Sequence, residues 1–261
     1  MAAFTSRDGG VSAPPFDTLN LGGALGDDPA AVARNRQLAA AACGRAADGI
    51  TWMRQVHGAD VAYAPPRPGP PPGILHPAPD ALHPAPDALQ PAPVALQPAP
   101  DPLPAVDAIF TDSAAVTLGV LAADCAMVLI ADSAARIVGA AHAGREGIAA
   151  GVVPALVRSM TAAGADPARM RAVIGPAICG GCYEVPWQLR ARIAQDVPEA
   201  GCVTRKGSPG IDIPAAAAAQ LARAGLRAVR RDPRCTAETP ALYSYRRDGQ
   251  TGRFAGLAWL A

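Results

Sequence analysis

A proline- and alanine-rich repeat interrupts this chain and limits which of its residues can form a core. Between residues 65 and 104, a seven-residue unit that begins His-Pro-Ala-Pro or Gln-Pro-Ala-Pro occurs four times. Alternating prolines remove backbone donors and exclude helix, so we expect an expanded loop of polyproline II or disordered chain. The alternative is a docking segment for a proline-binding module. About 220 residues remain for a single domain that spans 1–261 and is interrupted at about 65–104.

Charge and hydropathy narrow the class of protein. A formal net charge of +1 with scattered basic residues gives no electrostatic footprint for nucleic acid. No apolar run reaches the roughly 18 to 20 residues that a membrane-spanning helix needs. The N-terminus also lacks the basic segment and apolar core of a secretory signal. We therefore expect a cytoplasmic, monomeric protein that acts on a small molecule, with no nucleic-acid or membrane partner.

The six cysteines are expected to be mostly reduced in such a protein. Cys179 and Cys182 have the C-x-x-C spacing of half a zinc site or of a redox pair. No second C-x-x-C pair exists to complete a structural zinc site. A tight glycine turn with incidental thiols is therefore the favoured interpretation.

Strand and helix patterns alternate along the rest of the chain. Asp28 followed by Pro29 predicts a helix start, and the helix is expected to reach about Cys43. The apolar segment 116–130 is too long for one strand, which predicts two strands, or one strand bent near 122–125. The mixture favours a layered α+β or mixed α/β fold. Further strands are predicted at 51–57, 137–141, 171–174, 227–230 and 254–260, and further helices at 147–163 and 214–224.

His57, Cys125 and His142 are the strongest candidates for a chemical role. Each lies beside small residues at or near the end of a predicted strand. Two imidazoles and one thiolate suit a catalytic zinc that keeps its fourth position open for water. The remaining histidines, His76 and His83, recur with the proline repeat and are poor ligand candidates. No local motif joins the three residues, so from residue types alone, packing in a core is an equal alternative.

Several short motifs follow one another along nearly the whole chain. They include Arg-Gln-Val-His-Gly at 54–58, Ala-Asp-Cys at 123–125, His-Ala-Gly at 142–144, Cys-Tyr-Glu-Val at 182–185 and Ser-Tyr-Arg-Arg-Asp-Gly at 244–249. In this order they resemble the motifs of the YfiH family, also called laccase-domain proteins, polyphenol oxidases or peptidoglycan editing factors. The proline repeat has no counterpart in this resemblance. The resemblance implies a single domain of α/β/β/α layers, grouped with cysteine hydrolases, and a zinc bound by His57, Cys125 and His142.

The family resemblance implies several activities. Members are credited with phosphorolysis of purine nucleosides, including methylthioadenosine, with adenosine deamination, with copper-dependent phenol oxidation and with editing of peptidoglycan precursors. We expect a zinc-dependent enzyme that performs phosphorolysis and deamination of purine nucleosides, with nucleoside and phosphate as its ligands. The first alternative is a peptidoglycan-precursor hydrolase with Cys125 as nucleophile and His57 or His142 as base. Further alternatives are a copper-dependent polyphenol oxidase, for which few additional copper ligands exist, and a non-catalytic zinc-binding module.

Acidic and basic residues within the matching motifs supply the remaining candidates. Deamination needs a proton shuttle, whereas phosphorolysis needs groups that bind an anion. The candidate shuttles are Asp124, Glu184 and Glu238, and the candidate anion-binding residues are Arg7, Arg54 and Arg246.

One motif departs from the family pattern. The family block His-Ala-Gly-Trp-Arg-Gly reads His-Ala-Gly-Arg-Glu-Gly at 142–147, so Glu146 replaces an arginine. If that arginine holds phosphate, Glu146 weakens anion binding unless Arg145 reaches the same space.

Overall fold

The structure of the chain is a computed structural model that describes residues 1–66 and 103–261. The expected proline-rich loop, with His76 and His83, lies almost entirely outside the described residues. Within the described part of the chain, no helix is both long and apolar enough to cross a bilayer.

Two β-sheets form the centre of the fold. The first sheet consists of β1 (Ala2–Phe4), β2 (Ile50–Arg54), β4 (Leu103–Ala105), β6 (Thr117–Ala122) and β13 (Phe254–Trp259). Its strands lie in the spatial order β1-β13-β6-β2-β4, so β1 and β4 are its edges. The second sheet consists of β3 (Val61–Tyr63), β5 (Ala108–Thr111), β7 (Ala126–Asp132), β8 (Ile137–Ala143), β9 (Arg171–Ile174) and β12 (Ala228–Arg231). Its strands lie in the spatial order β12-β9-β7-β8-β5-β3. A separate hairpin pairs β10 (Gly201–Val203) with β11 (Pro209–Ile211).

Helices cover the outer faces of the two sheets. The described residues form α1 (Pro29–Ala42), α2 (Arg145–Ala150), α3 (Val152–Ala162), α4 (Trp187–Asp196), α5 (Ile213–Arg223) and α6 (Tyr245–Asp248), with 3-10 turns at Ala47–Gly49 and Pro198–Ala200. On α1, Ala39 and Ala40 pack against Trp52 and Leu257 of the first sheet. Helices α2, α3 and α5 pack against the second sheet.

The strand β7 shows how the layers are held together. Successive side chains of a strand point to opposite faces. Met127 and Leu129 enter the core between the two sheets, whereas Val128 and Ile130 enter the core under the helices. Burial on both faces explains why this strand is a continuous apolar run. The resulting layer order confirms the expected α/β/β/α fold.

The apolar segment 116–130 forms two strands, as one of the two predictions stated. These strands, β6 and β7, belong to different sheets. The turn 123–125 therefore carries the chain from one sheet to the other, and Asp124 adopts a φ of 97° within it. A left-handed φ at a residue with a side chain is strained and persists only where neighbours hold it.

Two predicted elements differ from their expected bounds by more than the one or two residues by which the ends of several others are shifted. The predicted helix 147–163 is split into α2 and α3 at Gly151, whose φ of 79° ends the first helix. The predicted strand 51–57 ends at Arg54, because His57 has a φ of 63° and cannot continue a strand. The α1 helix starts as predicted, with the Asp28 carboxylate accepting from the N–H of Ala30 at 2.9 Å.

Candidate active site

His57, Cys125 and His142 converge from three separate parts of the fold. His57 follows β2, Cys125 ends the turn between the sheets, and His142 lies in β8. Their ligand atoms all lie within 4.8 Å of one another. Gly144 leaves room for them, because a Cβ there would lie 2.9 Å from His57 Cδ2 and 3.1 Å from Cys125 Sγ. The three candidate ligands thus form one cluster.

Asp107 is the buried residue that organises this cluster. Its Oδ1 accepts from the N–H of His57 at 3.0 Å and contacts His142 Nδ1 at 2.8 Å. Its Oδ2 accepts from the N–H groups of Val56 at 3.1 Å and Gly58 at 2.7 Å. Burial raises the pKa of Asp107, but the hydrogen bonds from His142, Gly58 and Val56 outweigh burial and hold the pKa below its usual value. One carboxylate thereby stabilises the left-handed turn at His57 and fixes the His142 ring.

The electrostatics of the cluster favour a thiolate beside an imidazolium when no metal is bound. Burial raises the pKa of the Cys125 thiol, but the charges and hydrogen bonds of His142 and His57 outweigh it and lower the pKa to about 6. Burial lowers the pKa of His142, but Cys125 and Asp107 outweigh it and raise the pKa to about 9. A thiolate is both the nucleophilic form of cysteine and the form that binds metals.

The donor set fits a zinc ion. Because His142 Nδ1 contacts Asp107, its Nε2 is the nitrogen left to bind a metal, as in carboxylate–histidine–zinc arrangements. Two imidazoles and one thiolate leave a fourth tetrahedral position for water or substrate. The same three ligands suit copper in a trigonal site.

Asp124 is held in place by the segments around it. Its Oδ1 accepts from Thr236 Oγ1 at 2.6 Å and from Ser244 Oγ at 2.7 Å, and its Oδ2 accepts from the N–H of Arg246 at 2.6 Å. The carbonyl of Asp124 accepts from the N–H of Ile178 at 2.9 Å. These bonds hold the turn that presents the Cys125 thiol, and they engage both carboxylate oxygens.

A cavity of about 1100 Å³ opens onto the cluster and is rich in positive charge. Among the described residues, Asp124 is the only acidic residue in its lining. The Arg246 guanidinium lies 5.0 Å from the centre of the Tyr183 ring. The arginines in the lining are Arg36, Arg54, Arg145, Arg246 and Arg253, and the aromatic residues in it are Trp52, Tyr183 and Tyr245.

The candidate anion-binding residues separate into two groups. Arg54 and Arg246 line the cavity. Arg7 lies outside this lining. Its guanidinium contacts Asp17 at 3.0 Å and Asp248 at 3.6 Å and stacks on the ring of Tyr243. The sequence-based proposal that Arg7 binds an anion therefore has no support from its position.

The other two candidate proton shuttles also lie outside the cavity lining. Glu184 is exposed, and its backbone carbonyl accepts from Arg246 Nη1 at 2.9 Å. Glu238 is exposed and pairs with Arg205. Of the three acids named from the sequence, the structure brings only Asp124 to the cavity.

Arg145 lines the cavity next to the unusual Glu146. Its Nε donates to Glu146 at 2.9 Å, and its Nη1 donates to the Tyr183 hydroxyl at 3.2 Å. Glu146 itself is absent from the cavity lining and pairs with Arg192 at 2.8 Å. Arg145 thus places its guanidinium in the cavity wall, whereas Glu146 is turned away from it.

Sequence reasoning missed several residues that build the site. Asp107 is the most important of them, and its signal was an acid inside the apolar run 105–110. Tyr183 lies within a quoted motif, but nothing in the sequence indicated that its ring faces the cluster. Arg36 and Arg253 also line the cavity, although neither was proposed as a site residue from the sequence.

Comparison with known proteins gives a consistent result along the whole chain. The sequence profile of a family described as multi-copper polyphenol oxidoreductase laccase matches residues 1–261. A Streptomyces coelicolor protein named purine nucleoside phosphorylase is 46% identical over 257 residues, which cover 98% of this chain and 94% of that protein. A Mycobacterium bovis protein with the same name is 40% identical over 257 residues, covering 98% and 90%.

Solved structures share the fold. YfiH from Bacillus licheniformis superposes with a TM-score of 0.81 at 27% identity, covering 100% of this chain and 92% of that one. A Neisseria meningitidis protein superposes with a TM-score of 0.76 at 33% identity, covering 99% and 93%.

Proposed function

This chain belongs to the multi-copper polyphenol oxidoreductase laccase family, and we propose that it is a purine nucleoside phosphorylase, as its full-length relatives are named. The proposed substrates are phosphate and a purine nucleoside such as adenosine, inosine or methylthioadenosine. The observation that carries this proposal is the arginine-rich cavity above the His57, Cys125 and His142 cluster. Guanidinium groups that converge on one cavity bind phosphate, and aromatic walls suit a planar base.

Phosphorolysis places two requirements on the residues of the cavity. A phosphate oxygen forms a bond to the anomeric carbon of the ribose while the bond from that carbon to the purine nitrogen breaks. The electron pair of the broken bond goes to the purine, which then takes up a proton. The site must therefore hold the phosphate close to the sugar and stabilise negative charge on the leaving base.

The arginines of the cavity meet the first requirement in this proposal. The side chain of Arg54 has no hydrogen-bond or ion-pair partner among the described residues, so its guanidinium is free to bind phosphate. Arg246 and Arg145 are already oriented by Glu184 and Tyr183, which reduces the entropy lost when they bind an anion. Arg36 and Arg253 donate to backbone carbonyls and add positive charge to the walls.

Zinc is the proposed cofactor, bound by His57, Cys125 and His142, and it supplies a Lewis acid next to the reacting groups when bound. Copper remains compatible with the same ligands. Asp107 orients His142 for this role and keeps the His57 turn in its left-handed conformation. Gly144 keeps the space in front of the ligands open.

Deamination of adenosine is a weaker proposal for the same site. It needs a group that carries a proton between water and the base. Both oxygens of Asp124 already accept hydrogen bonds, and Glu184 is outside the lining. Neither acid is therefore placed to carry the proton that deamination needs. The positive charge of the cavity, in contrast, suits the phosphate that phosphorolysis needs.

A cysteine hydrolase that acts on peptidoglycan precursors is the second candidate, and one observation favours it. Cys125, His142 and Asp107 stand in the order nucleophile, base and orienting carboxylate, with the last contact at 2.8 Å. Cysteine hydrolases use this arrangement without a metal.

The first experiment is chromatography of adenosine incubated with zinc-loaded protein, with and without phosphate. Cys125→Ala, prepared in parallel, excludes a contaminating enzyme. The proposal expects adenine that appears only with phosphate and only with the unaltered protein. Inosine without adenine would show that the reaction is deamination and not phosphorolysis. Unchanged adenosine under both conditions would contradict the purine proposal.

Metal removal distinguishes the second candidate from the first. A zinc enzyme loses activity on chelation and regains it when zinc is returned. A hydrolase that uses Cys125 as nucleophile survives chelation, cleaves peptidoglycan precursors and is inactivated by alkylation of the metal-free protein.

A further inference from the structure

A second group of metal-binding side chains lies outside the cavity. The Sγ atoms of Cys179, Cys182 and Cys235 and a carboxylate oxygen of Glu238 all lie within 4.8 Å of one another. None of the four lines the cavity described above. Cys235 is buried, Cys179 and Cys182 are half-buried, and Glu238 is exposed. We call these four residues the three-cysteine cluster.

Backbone contacts hold the two turns of this cluster together. The N–H of Cys182 donates to the carbonyl of Cys179 at 2.9 Å, which closes the glycine turn between them. The N–H of Cys179 donates to Cys235 Sγ at 3.4 Å. The N–H of Glu238 donates to the carbonyl of Cys235 at 3.1 Å, which turns the chain so that Glu238 faces the thiols. The thiols are therefore brought together by the fold, even though 52 residues separate Cys182 from Cys235.

The cluster already attracts a cation. Arg205 Nη1 contacts Cys182 Sγ at 3.0 Å, and the same guanidinium pairs with Glu238. Its side chain is 59% exposed, so it can move into water at small cost when another cation takes its place. The cluster thus holds a positive charge against one of its sulfur atoms and its carboxylate before any metal binds.

We propose that the three-cysteine cluster is a structural zinc site, distinct from the His57, Cys125 and His142 site. Thiolate sulfurs lie about 2.3 Å from a tetrahedral zinc and therefore roughly 3.8 Å from one another. The present separations are all within 4.8 Å, so no pair of ligand atoms has to approach by more than about 1 Å to reach that value. Three thiolates and one carboxylate fill all four positions, which is typical of a structural rather than a catalytic zinc. Thiolates also select zinc over magnesium or calcium.

This metal would stabilise the turn that presents Cys125. Ile178, next to Cys179, donates to the carbonyl of Asp124 at 2.9 Å. Thr236, next to Cys235, donates to the Asp124 carboxylate at 2.6 Å. Two of the four anchors of the Asp124 turn are thus one residue away from a ligand of the second zinc.

A disulfide is the competing explanation for neighbouring thiols. A redox pair requires two sulfurs, whereas this cluster contains three sulfurs and a carboxylate. The extra thiol and the carboxylate are explained by a metal and not by a disulfide. A disulfide nevertheless remains a distinct outcome of the experiment.

The test uses cobalt in the Cys125→Ala variant, so that only the three-cysteine cluster can give thiolate-to-cobalt absorption in the near ultraviolet. We expect one equivalent of cobalt to produce this absorption and zinc to displace it. Cys179→Ser in the same background should abolish it, whereas Cys43→Ser, at a cysteine outside both clusters, should leave it unchanged. Glu238→Gln, on the exposed side, should retain the fold and weaken the binding of cobalt at least tenfold.

Alkylation followed by peptide mapping gives a second readout that needs no variant of the cluster. In the Cys125→Ala protein, added zinc should slow alkylation of Cys179 and Cys182 by tenfold or more and leave Cys43 unaffected. Absence of cobalt absorption together with unprotected thiols would overturn the proposal. Loss of two thiols to a disulfide in freshly purified protein, without bound metal, would overturn it in favour of a redox pair. Neither readout depends on catalysis, so failure of the phosphorylase proposal would leave this test intact.

Discussion

Replacement of Asp107 by asparagine should damage both the stability of the protein and its affinity for zinc. The carboxylate is fully buried and interacts with four groups, two at each oxygen. An amide keeps only one acceptor oxygen, so its NH2 group must face one of these pairs. Facing Val56 and Gly58, it leaves two partly buried N–H donors without an acceptor. Facing His57 and His142, the NH2 group repels the backbone N–H of His57. It also forces Nδ1 of the His142 ring to act as a hydrogen-bond acceptor.

The size of the effect follows from these two orientations. A hydrogen bond to a charged group contributes about 1.5–3 kcal/mol, so the loss of two lowers the free energy of unfolding by about 3–6 kcal/mol. Because domains are stable by about 5–15 kcal/mol, the variant should remain folded at low temperature but melt earlier. Loss of a carboxylate that orients a ligand histidine typically lowers metal affinity by about 10–100-fold.

Asp132→Asn provides the matched control. Asp132 is equally buried and accepts from the N–H groups of Ala134, Ala135 and Asp166, but it lies at the opposite end of β7 from the turn that carries Cys125. Urea unfolding of both variants should show a comparable loss of stability, whereas zinc competition with a chromophoric chelator should show weakened binding for Asp107→Asn alone. Equal zinc affinity in the two variants would refute the assigned role of Asp107.

Three further predictions concern the cluster and its cavity. Gly144→Ala should lower zinc affinity about 10–100-fold, because its Cβ would lie 2.9 Å from the ring of His57. The control Gly49→Ala, whose Cβ would have its nearest contact at 3.6 Å, should bind zinc normally, and isothermal titration measures both affinities. Alkylation of Cys125 in metal-free protein should be half-maximal near pH 6, since its pKa is about 6 and thiolate predominates above that value; a rate still rising steeply at pH 8.5, the usual region for a thiol, would contradict this. Arg54→Gln should raise the KM for phosphate about tenfold, the equivalent of roughly 1.4 kcal/mol, whereas Arg34→Gln on the exposed face of α1 should not; unchanged KM values in both variants would exclude Arg54 from phosphate binding.

The layered fold follows from local patterns that the sequence displays. Helix α1 begins where a cap and a proline predict it, and β9 has the predicted bounds because it is short and flanked by clear turns. The break at Gly151 was missed because a helical apolar pattern continues on both sides of it, and only the φ of 79° shows that the chain turns there. Sheet membership was also hidden, since β6 and β7 look like one apolar run but pack in different layers.

The three ligand candidates were identified from residue types, but the residue that organises them was not. An aspartate in an apolar run indicates a buried carboxylate that needs polar partners, but it does not identify those partners. Its role arises from pairing, because Ala108 of β5 lies opposite Ala141 of β8 and so places Asp107 beside His142. The carbonyl of Asp107 also accepts from the N–H of His142 at 2.8 Å. Such a contact depends on strand register, which the sequence-based interpretation did not specify.

Glu146 illustrates that an acidic residue beside a site in the sequence adds charge to that site only if its side chain points into it. From the sequence, an acid in place of the family arginine was expected to weaken anion binding. In the structure, Arg192 and Arg145 hold the pKa of Glu146 below its usual value, so it stays ionised and turned toward them. Because Glu146 binds Arg145 through Nε, the rest of that guanidinium extends to Tyr183 in the cavity wall. An acid outside the lining thereby fixes a cation within it, and Glu146 adds no negative charge to the cavity wall.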